Sequence, residues 1–335
     1  MRKSPGRLAV VLVVLYALAL AATGTVVATA GASVPTSPVV RVWTEPAAGY
    51  GFLYGAINGA KYDVDLSMYE LSDPVVVRDL VARAKAGVDV SVLLNADYEG
   101  RRENASAFAT LRAGGVHVRW APSDQIFHAK YLVVDKATAY IGTGNLVPYD
   151  YASTRDFWVA DVDPLDVAAI AATFTSDFDQ QVLSGEGPDG LVWSPGSGPA
   201  LLSVIKAARS TLLVENEEMD VSSIEHALVA AATRGVDVEV VMTRDAQWSS
   251  ALRILASAGV HVRTLDSSQL YIHAKVICAD CTSHGGMVFV GSENFSTSSL
   301  SYNRELGVVT GSPLATSAIA SAVRSDFAIG SVVAP

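Results

Sequence analysis

Apolar and polar positions along this chain switch repeatedly between two periods, and the switching predicts an architecture. Val64–Met68, Val88–Leu94 and Val116–Trp120 are short apolar runs of strand length. Between them, Pro74–Ala86 and Arg102–Ala113 are amphipathic at helical spacing. Gly87 and the Gly114–Gly115 pair follow these helices as stops. Further helices are expected at Pro164–Phe178 and Pro313–Phe327. Strands that alternate with helices predict an α/β fold, a sheet covered by helices.

The pattern occurs twice. Arg83–Leu94 (RAKAGVDVSVLL) matches Ala231–Met242 (AATRGVDVEVVM), and Gly114–Arg119 (GGVHVR) matches Ala258–Arg263 (AGVHVR). Phe127–Lys130 (FHAK) matches Ile272–Lys275 (IHAK), and Gly142–Asn145 (GTGN) matches Gly291–Asn294 (GSEN). The order is kept and the offset stays between 144 and 149 residues, so the chain is a duplicated domain. The Gly/Pro-rich stretch Leu183–Gly190 is the expected boundary, with domains at residues 39–184 and 191–332.

Composition narrows the class. Half of the 335 residues are hydrophobic and 17% are charged, which excludes a disordered polyelectrolyte. Residues 1–32 read as a targeting segment: Arg2, Lys3 and Arg7, the apolar run Leu8–Ala22, then small residues suited to cleavage. The alternative is an uncleaved anchor, because Leu8–Ala30 is long enough to span a bilayer. Either reading places the folded part outside the cytoplasm, secreted or tethered. Loss of residues 1–32 takes the formal charge from −10 to −13, which weighs against a nucleic-acid partner. The only cysteines, Cys278 and Cys281, are too few for a zinc site; a small local disulfide is expected, with two free thiols as the alternative.

The chemistry lies in the repeated polar set. Residues two apart in a strand share a face, so His128 projects with Lys130 and His273 with Lys275. By the same parity Asp135 and Asp280 point away and are expected to be structural. Asn145 and Asn294 follow in tight turns, and eleven residues beyond each stands a carboxylate, Asp156 or Glu305, preceded by an arginine. Lysines and carboxamides suit the non-bridging oxygens of a phosphoryl group and stabilise charge in its transition state. One imidazole can attack phosphorus while the other protonates the leaving oxygen. A carboxylate on the far ring nitrogen would fix the tautomer. Such a double displacement calls for no metal and no cofactor. Glu70 and Glu218 stand at equivalent strand ends, either lining the cleft or capping the next helix. His117 and His261 read as scaffold, and His226 and His284 as solvent-facing. Trp120, Ile126, Phe127, Tyr149, Tyr151, Trp248, Leu270, Tyr271 and Phe295 are core, loop anchors or an apolar rim.

HAKYLVVD…GTGN and HAKVICAD…GSEN resemble the two H-x-K-x4-D-x6-G-[ST]-x-N signatures of the phospholipase D superfamily. The second departs from the pattern by a ten-residue spacer, Cys281–Val290, read as a longer hairpin with SHGG at its tip. The resemblance implies two similar α/β domains, each a mixed sheet flanked by helices, facing each other across a pseudo-twofold with the site in the cleft. It also implies that Asp156 and Glu305 orient the histidines, often across the pseudo-dyad. By analogy His128 is the expected nucleophile and His273 the general acid, the swapped assignment staying open. The expected activity is a secreted, monomeric phosphodiesterase that hydrolyses the head-group ester of a phospholipid at a membrane surface. The alternatives are transfer to an alcohol, a nuclease, or a binding module. A nuclease would want a basic cleft, for which Arg101, Arg102, Arg155 and Arg304 are few.

Overall fold

A computed structural model describes residues 39–181 and 190–335. The expected targeting segment at 1–32, and all but Gly190 of the boundary at 183–190, lie outside the described residues.

The first half forms a seven-stranded mixed sheet. Its order is Val39–Thr44, Phe157–Asp161, Thr138–Gly142, Tyr131–Val134, Asp63–Met68, Asp89–Leu94 and His117–Trp120. The second half repeats that order with Leu191–Ser194, Glu305–Thr310, Met287–Gly291, Val276–Ala279, Thr211–Glu215, Asp237–Thr243 and His261–Leu265. Ser331–Val332 adds an eighth, edge strand. In each sheet the three strands joined through helices run parallel, and the following hairpin strands run antiparallel.

Local chemistry explains the helix ends. Asp73 accepts hydrogen bonds from the N–H groups of Val75 and Val76, and Pro74 opens the helix Pro74–Lys85. Asp163 and Pro164 do the same for Pro164–Phe178. Gly87 and Gly235 close the equivalent helices at φ +91° and +87°, where a side chain would be strained. The helix expected over Arg102–Ala113 is instead two pieces, Gly100–Glu103 and Ala105–Ala113. They meet at Asn104, whose buried amide accepts from Leu71 N–H and donates to the carbonyls of Tyr69 and Asn95. Those three bonds tie the helix junction to two strand ends.

Three apolar clusters hold the layers. One lies under the outer helices of each half. The third is shared, with Phe127, Tyr131, Phe157 and Phe174 of the first half packing with Trp193, Leu306, Val308 and Ile319 of the second. The helix Pro313–Ile329 packs on five strands of its own sheet and on Val39–Thr44 of the other.

Main-chain bonds also cross between halves. Tyr271–Ile272 pairs with Thr154–Arg155, and Phe127 bridges to Arg304. The arginines before the two carboxylates are buried in crossed ion pairs, Arg155 with Asp326 at 2.6 Å and Arg304 with Asp177 at 2.6 Å. They belong to the interface between halves and not to a basic groove.

Candidate active site

The two His-x-Lys runs stand just before the regular strands, which begin at Tyr131 and Val276. This corrects the strand reading: each run is held by the opposite half as well as by its own sheet. The N–H groups of His128 and Ala129 donate to Arg304 carbonyl oxygen, and His273 N–H donates to Arg155 carbonyl oxygen. Lys130 and Lys275 carbonyls accept from Gly142 and Gly291 of their own halves. The lysine side chains are fully buried and turn back, each ammonium donating to the carbonyl of its own histidine.

Each imidazole meets the carboxylate of the other half. His128 Nδ1 is 2.8 Å from Glu305 Oε2, and His273 Nδ1 is 2.9 Å from Asp156 Oδ1. The carboxylates are themselves fixed. Glu305 accepts from Ser299 Oγ at 2.6 Å and Asn303 Nδ2 at 3.1 Å, and Asp156 accepts from Thr143 Oγ1 at 2.6 Å. Gly144 makes room beside Asp156, since a Cβ there would lie 2.6 Å from its carboxylate. Its counterpart is the buried Glu293, whose carboxyl is held well above the usual range by burial and by neighbouring Glu305.

Both histidines open on one cleft of about 460 Å³, lined also by Tyr69, Glu70, Asn145, Glu217, Glu218, Tyr271 and Asn294. Burial lowers the His128 pKa to about 4, outweighing Glu305, so its ring is neutral at pH 7. Burial and the neighbouring Lys275 bring the Lys130 ammonium down to about 7. Asn145 Nδ2 donates to Glu70 at 3.3 Å, and Asn294 Nδ2 donates to Glu218 at 3.1 Å and Glu217 at 3.2 Å. Glu70 and Glu218 therefore line the cleft, and Asp73 takes the capping role. A carboxylate holds Nδ1 of each ring, which leaves Nε2 for chemistry, and a buried ammonium is bonded to each histidine's carbonyl; the arrangement suits in-line attack on a tetrahedral anion.

Asp135 and Asp280 lie elsewhere. Asp135 accepts from the N–H groups of Lys61, Tyr62 and Asp63, and Asp280 from those of Arg209, Ser210 and Thr211. Among the described residues no group of three or more His, Cys, Asp or Glu is placed to hold a metal ion. Cys278 and Cys281 are joined in a disulfide. His226 and His284 are exposed, and His117 and His261 are exposed beside Asp89 and Asp237. Of the aromatic and apolar candidates, Phe127, Leu270 and Phe295 are core, and Trp120 stacks on Phe108. Tyr151 stacks on Tyr50, and only Tyr149, at 92%, stands nearly free.

Glu217 was not singled out by sequence, although the repeat held a signal. At the 148-residue offset Glu217 replaces Tyr69, whose ring lies 4.7 Å from the His128 ring and 4.9 Å from Lys130 Nζ. Glu217 instead contacts Lys275 Nζ at 3.1 Å and His273 Nε2 at 3.6 Å.

A family model described as "Cardiolipin synthase, PLD-like domain" matches residues 53–182 and again 201–328. Cardiolipin synthase A of Yersinia pseudotuberculosis is 24% identical over 282 residues, covering 70% of this chain and 57% of the relative. The chain thus spans little more than half the length of that relative. In fold, the chain is similar to phosphatidylserine synthase of Haemophilus influenzae Rd KW20, with a TM-score of 0.69, 11% identity and 89% of each chain covered. It is also similar to polyphosphate kinase of Porphyromonas gingivalis, with a TM-score of 0.66, 16% identity, and 85% of this chain and 50% of that one covered. At these identities the likeness is one of fold.

Proposed function

Because the chain belongs to the phospholipase D superfamily, we propose that it cleaves the head-group phosphodiester of a phospholipid through a phosphohistidine on His128. The observation that carries this reading is the crossed arrangement, in which each histidine of one cleft is oriented by a carboxylate from the other half. With Glu305 on Nδ1 and the ring neutral at pH 7, the Nε2 lone pair of His128 is free to attack phosphorus. The bond from phosphorus to the head-group oxygen breaks, and that oxygen takes the Nε2 proton of His273. Water then attacks the phosphohistidine, His273 recovers the proton, and the phosphorus–nitrogen bond returns its pair to His128. Lys130, Lys275, Asn145 and Asn294 hold the phosphoryl oxygens throughout.

The names of the relatives favour a second reading, in which an alcohol replaces water as acceptor. Both readings share the covalent intermediate, so product analysis separates them. With radiolabelled phosphatidyl substrate and added glycerol, hydrolysis gives phosphatidic acid and transfer gives phosphatidylglycerol. A denaturing alkaline quench during turnover, in which the phosphorus–nitrogen bond survives, should leave phosphorus label on His128. Label on His273 alone reverses the assignment, and single-stranded DNA cleaved while every phospholipid stays intact replaces lipid with nucleic acid.

Export is proposed on residues 1–32 alone, and finding the full-length chain only in the cytoplasmic fraction would reject it.

A further inference from the structure

Glu217 breaks the pseudo-symmetry at the chemically most sensitive point. In the first half, Lys130 and His128 face the ring of Tyr69. In the second half one oxygen of Glu217, Oε2, lies 3.1 Å from Lys275 Nζ, 3.2 Å from Asn294 Nδ2 and 3.6 Å from His273 Nε2. The lysine and the carboxamide are those that the proposed reaction assigns to a phosphoryl oxygen, and the imidazole is the one that it assigns to the leaving oxygen. Its other oxygen, Oε1, accepts a hydrogen bond from Tyr271 Oη at 2.6 Å, which tethers the carboxylate from the opposite side.

Charge bookkeeping gives the arrangement a consequence. Lys130 and Lys275 are buried behind the cleft wall, against the lining residues Tyr69 and Glu217, and Glu305 and Asp156 are committed to the imidazoles. Glu217 adds a third carboxylate, and Glu70 and Glu218 stand beside the carboxamides. Burial pushes the Glu217 carboxyl up, but Lys275 and His273 more than offset this and keep it ionised. An incoming phosphate must displace Oε2 from Lys275 and Asn294, while Tyr271 keeps the carboxylate close. Repulsion from that neighbour grows with each charge on the phosphate.

We propose that Glu217 is a specificity-determining residue, a built-in counter-anion seated at the phosphoryl-oxygen position of the second half. It admits a singly charged diester and discriminates against doubly charged monoesters and inorganic phosphate. The inference rests on the reading that Lys275 and Asn294 hold phosphoryl oxygens. It applies to either acceptor, and in hydrolysis it also speeds release of a product that becomes doubly charged.

The test is calorimetric binding of inorganic phosphate at pH 8 and of diethyl phosphate to the full chain. Glu217→Gln should tighten phosphate by about tenfold or more and diethyl phosphate by less than about threefold, as loss of a like charge next to the ligand requires. Adding Lys275→Met to that variant should abolish the gain. Equal tightening of both anions, no tightening, or a gain that survives without Lys275 overturns the proposal. Should Glu217→Gln not fold, Tyr271→Phe loosens the carboxylate without changing any charge. It should tighten phosphate by about threefold, and an unchanged affinity again overturns the proposal. Turnover of phospholipid with unchanged phosphate binding would leave the proposed function standing and remove this inference. Tighter phosphate binding in a protein that cleaves no phospholipid would do the reverse.

Discussion

His128 Nδ1 and Glu305 Oε2 are 2.8 Å apart although 177 residues separate them, and the two residues belong to opposite halves of the molecule. His273 and Asp156 repeat the relationship in the other direction at 2.9 Å. Neither half therefore carries a histidine–carboxylate pair of its own, and each pair is completed by the other half. Glu305 is also saturated, since its second oxygen accepts from Ser299 and Asn303. Its position is fixed before substrate binds.

Glu305→Gln keeps the shape and removes the charge that stabilises the imidazole and selects its tautomer. Turnover should fall by roughly 10²-fold or more, in line with the loss seen when a histidine-orienting carboxylate becomes an amide. Thermal melting should show that the fold is kept. Activity within about threefold of wild type would mean that Glu305 does not orient a reacting histidine.

The pH dependence follows from two buried groups. His128 has its pKa lowered to about 4 by burial, and Lys130 to about 7 by burial and Lys275. For kcat/KM the expected profile is a bell, with an acid limb near pH 4 as His128 protonates and an alkaline limb near pH 7 as Lys130 loses its proton. A bound phosphoryl anion favours the ammonium form, so the alkaline limb of kcat should lie above that of kcat/KM. Stability has a matching sign. The folded pKa of His128 is depressed below the unfolded value near 6.5, so its stabilising share is complete above that value and is lost as pH falls toward about 4. Urea midpoints should drop more steeply between these values for wild type than for His128→Asn. Parallel slopes would place the titration elsewhere.

How much of this was legible in the chain depends on whether a feature is local or repeated. Strands such as Val64–Met68 and helices such as Pro164–Phe178 announced themselves through periodicity, and the structure places them within a residue. The polar set was visible because it recurs at one offset. What the sequence hid are contacts between residues far apart in the chain. Arg155 and Arg304 stood out as neighbours of the carboxylates and as sparse material for a basic cleft, and nothing near them names Asp326 and Asp177 as partners. Asn104 looked like an ordinary helical position, yet its side chain ties together strand ends near Tyr69 and Asn95. Glu217 was overlooked because it breaks the repeat, and symmetry directs attention to its neighbour Glu218.

The crossed ion pairs make their own prediction. Arg304→Met leaves the Asp177 carboxylate buried without its cation, and burial already pushes that carboxyl above its usual range. Removing one member of such a pair costs on the order of 3–5 kcal/mol, whereas replacing both by apolar groups is often close to neutral. Arg304→Met should therefore be less stable to urea than the double variant Arg304→Met/Asp177→Leu. The same ranking is expected for Arg155→Met against Arg155→Met/Asp326→Leu. A double variant less stable than both of its singles would show that the pair is worth more than its desolvation.

Asp135 and Asp280 belong to the repeated motif, yet their carboxylates face three consecutive amide groups at the start of a neighbouring strand, away from the cleft. Both sit at φ near +50°, a conformation that Asp and Asn tolerate better than Ala. Asp135→Ala loses the acceptor for three N–H groups and gains backbone strain, so a cost on the order of 1–3 kcal/mol is expected. Asp135→Asn, which keeps one acceptor oxygen and the backbone preference, should cost less. For both residues burial pushes the carboxyl up, but the hydrogen-bond donors, the amides at Asp135 and the Ser210 hydroxyl with the amides at Asp280, more than offset it and hold the pKa below the usual value. Their stabilising share is therefore present above about pH 4, the unfolded carboxyl value, and is lost as pH falls through the lower folded one. The decisive measurement is the split between stability and turnover. Asp135→Ala should lower the urea midpoint while kcat of the folded fraction stays within about threefold of wild type. A loss of kcat on the scale expected for Glu305→Gln, with the midpoint unchanged, would move Asp135 from scaffold into the reaction.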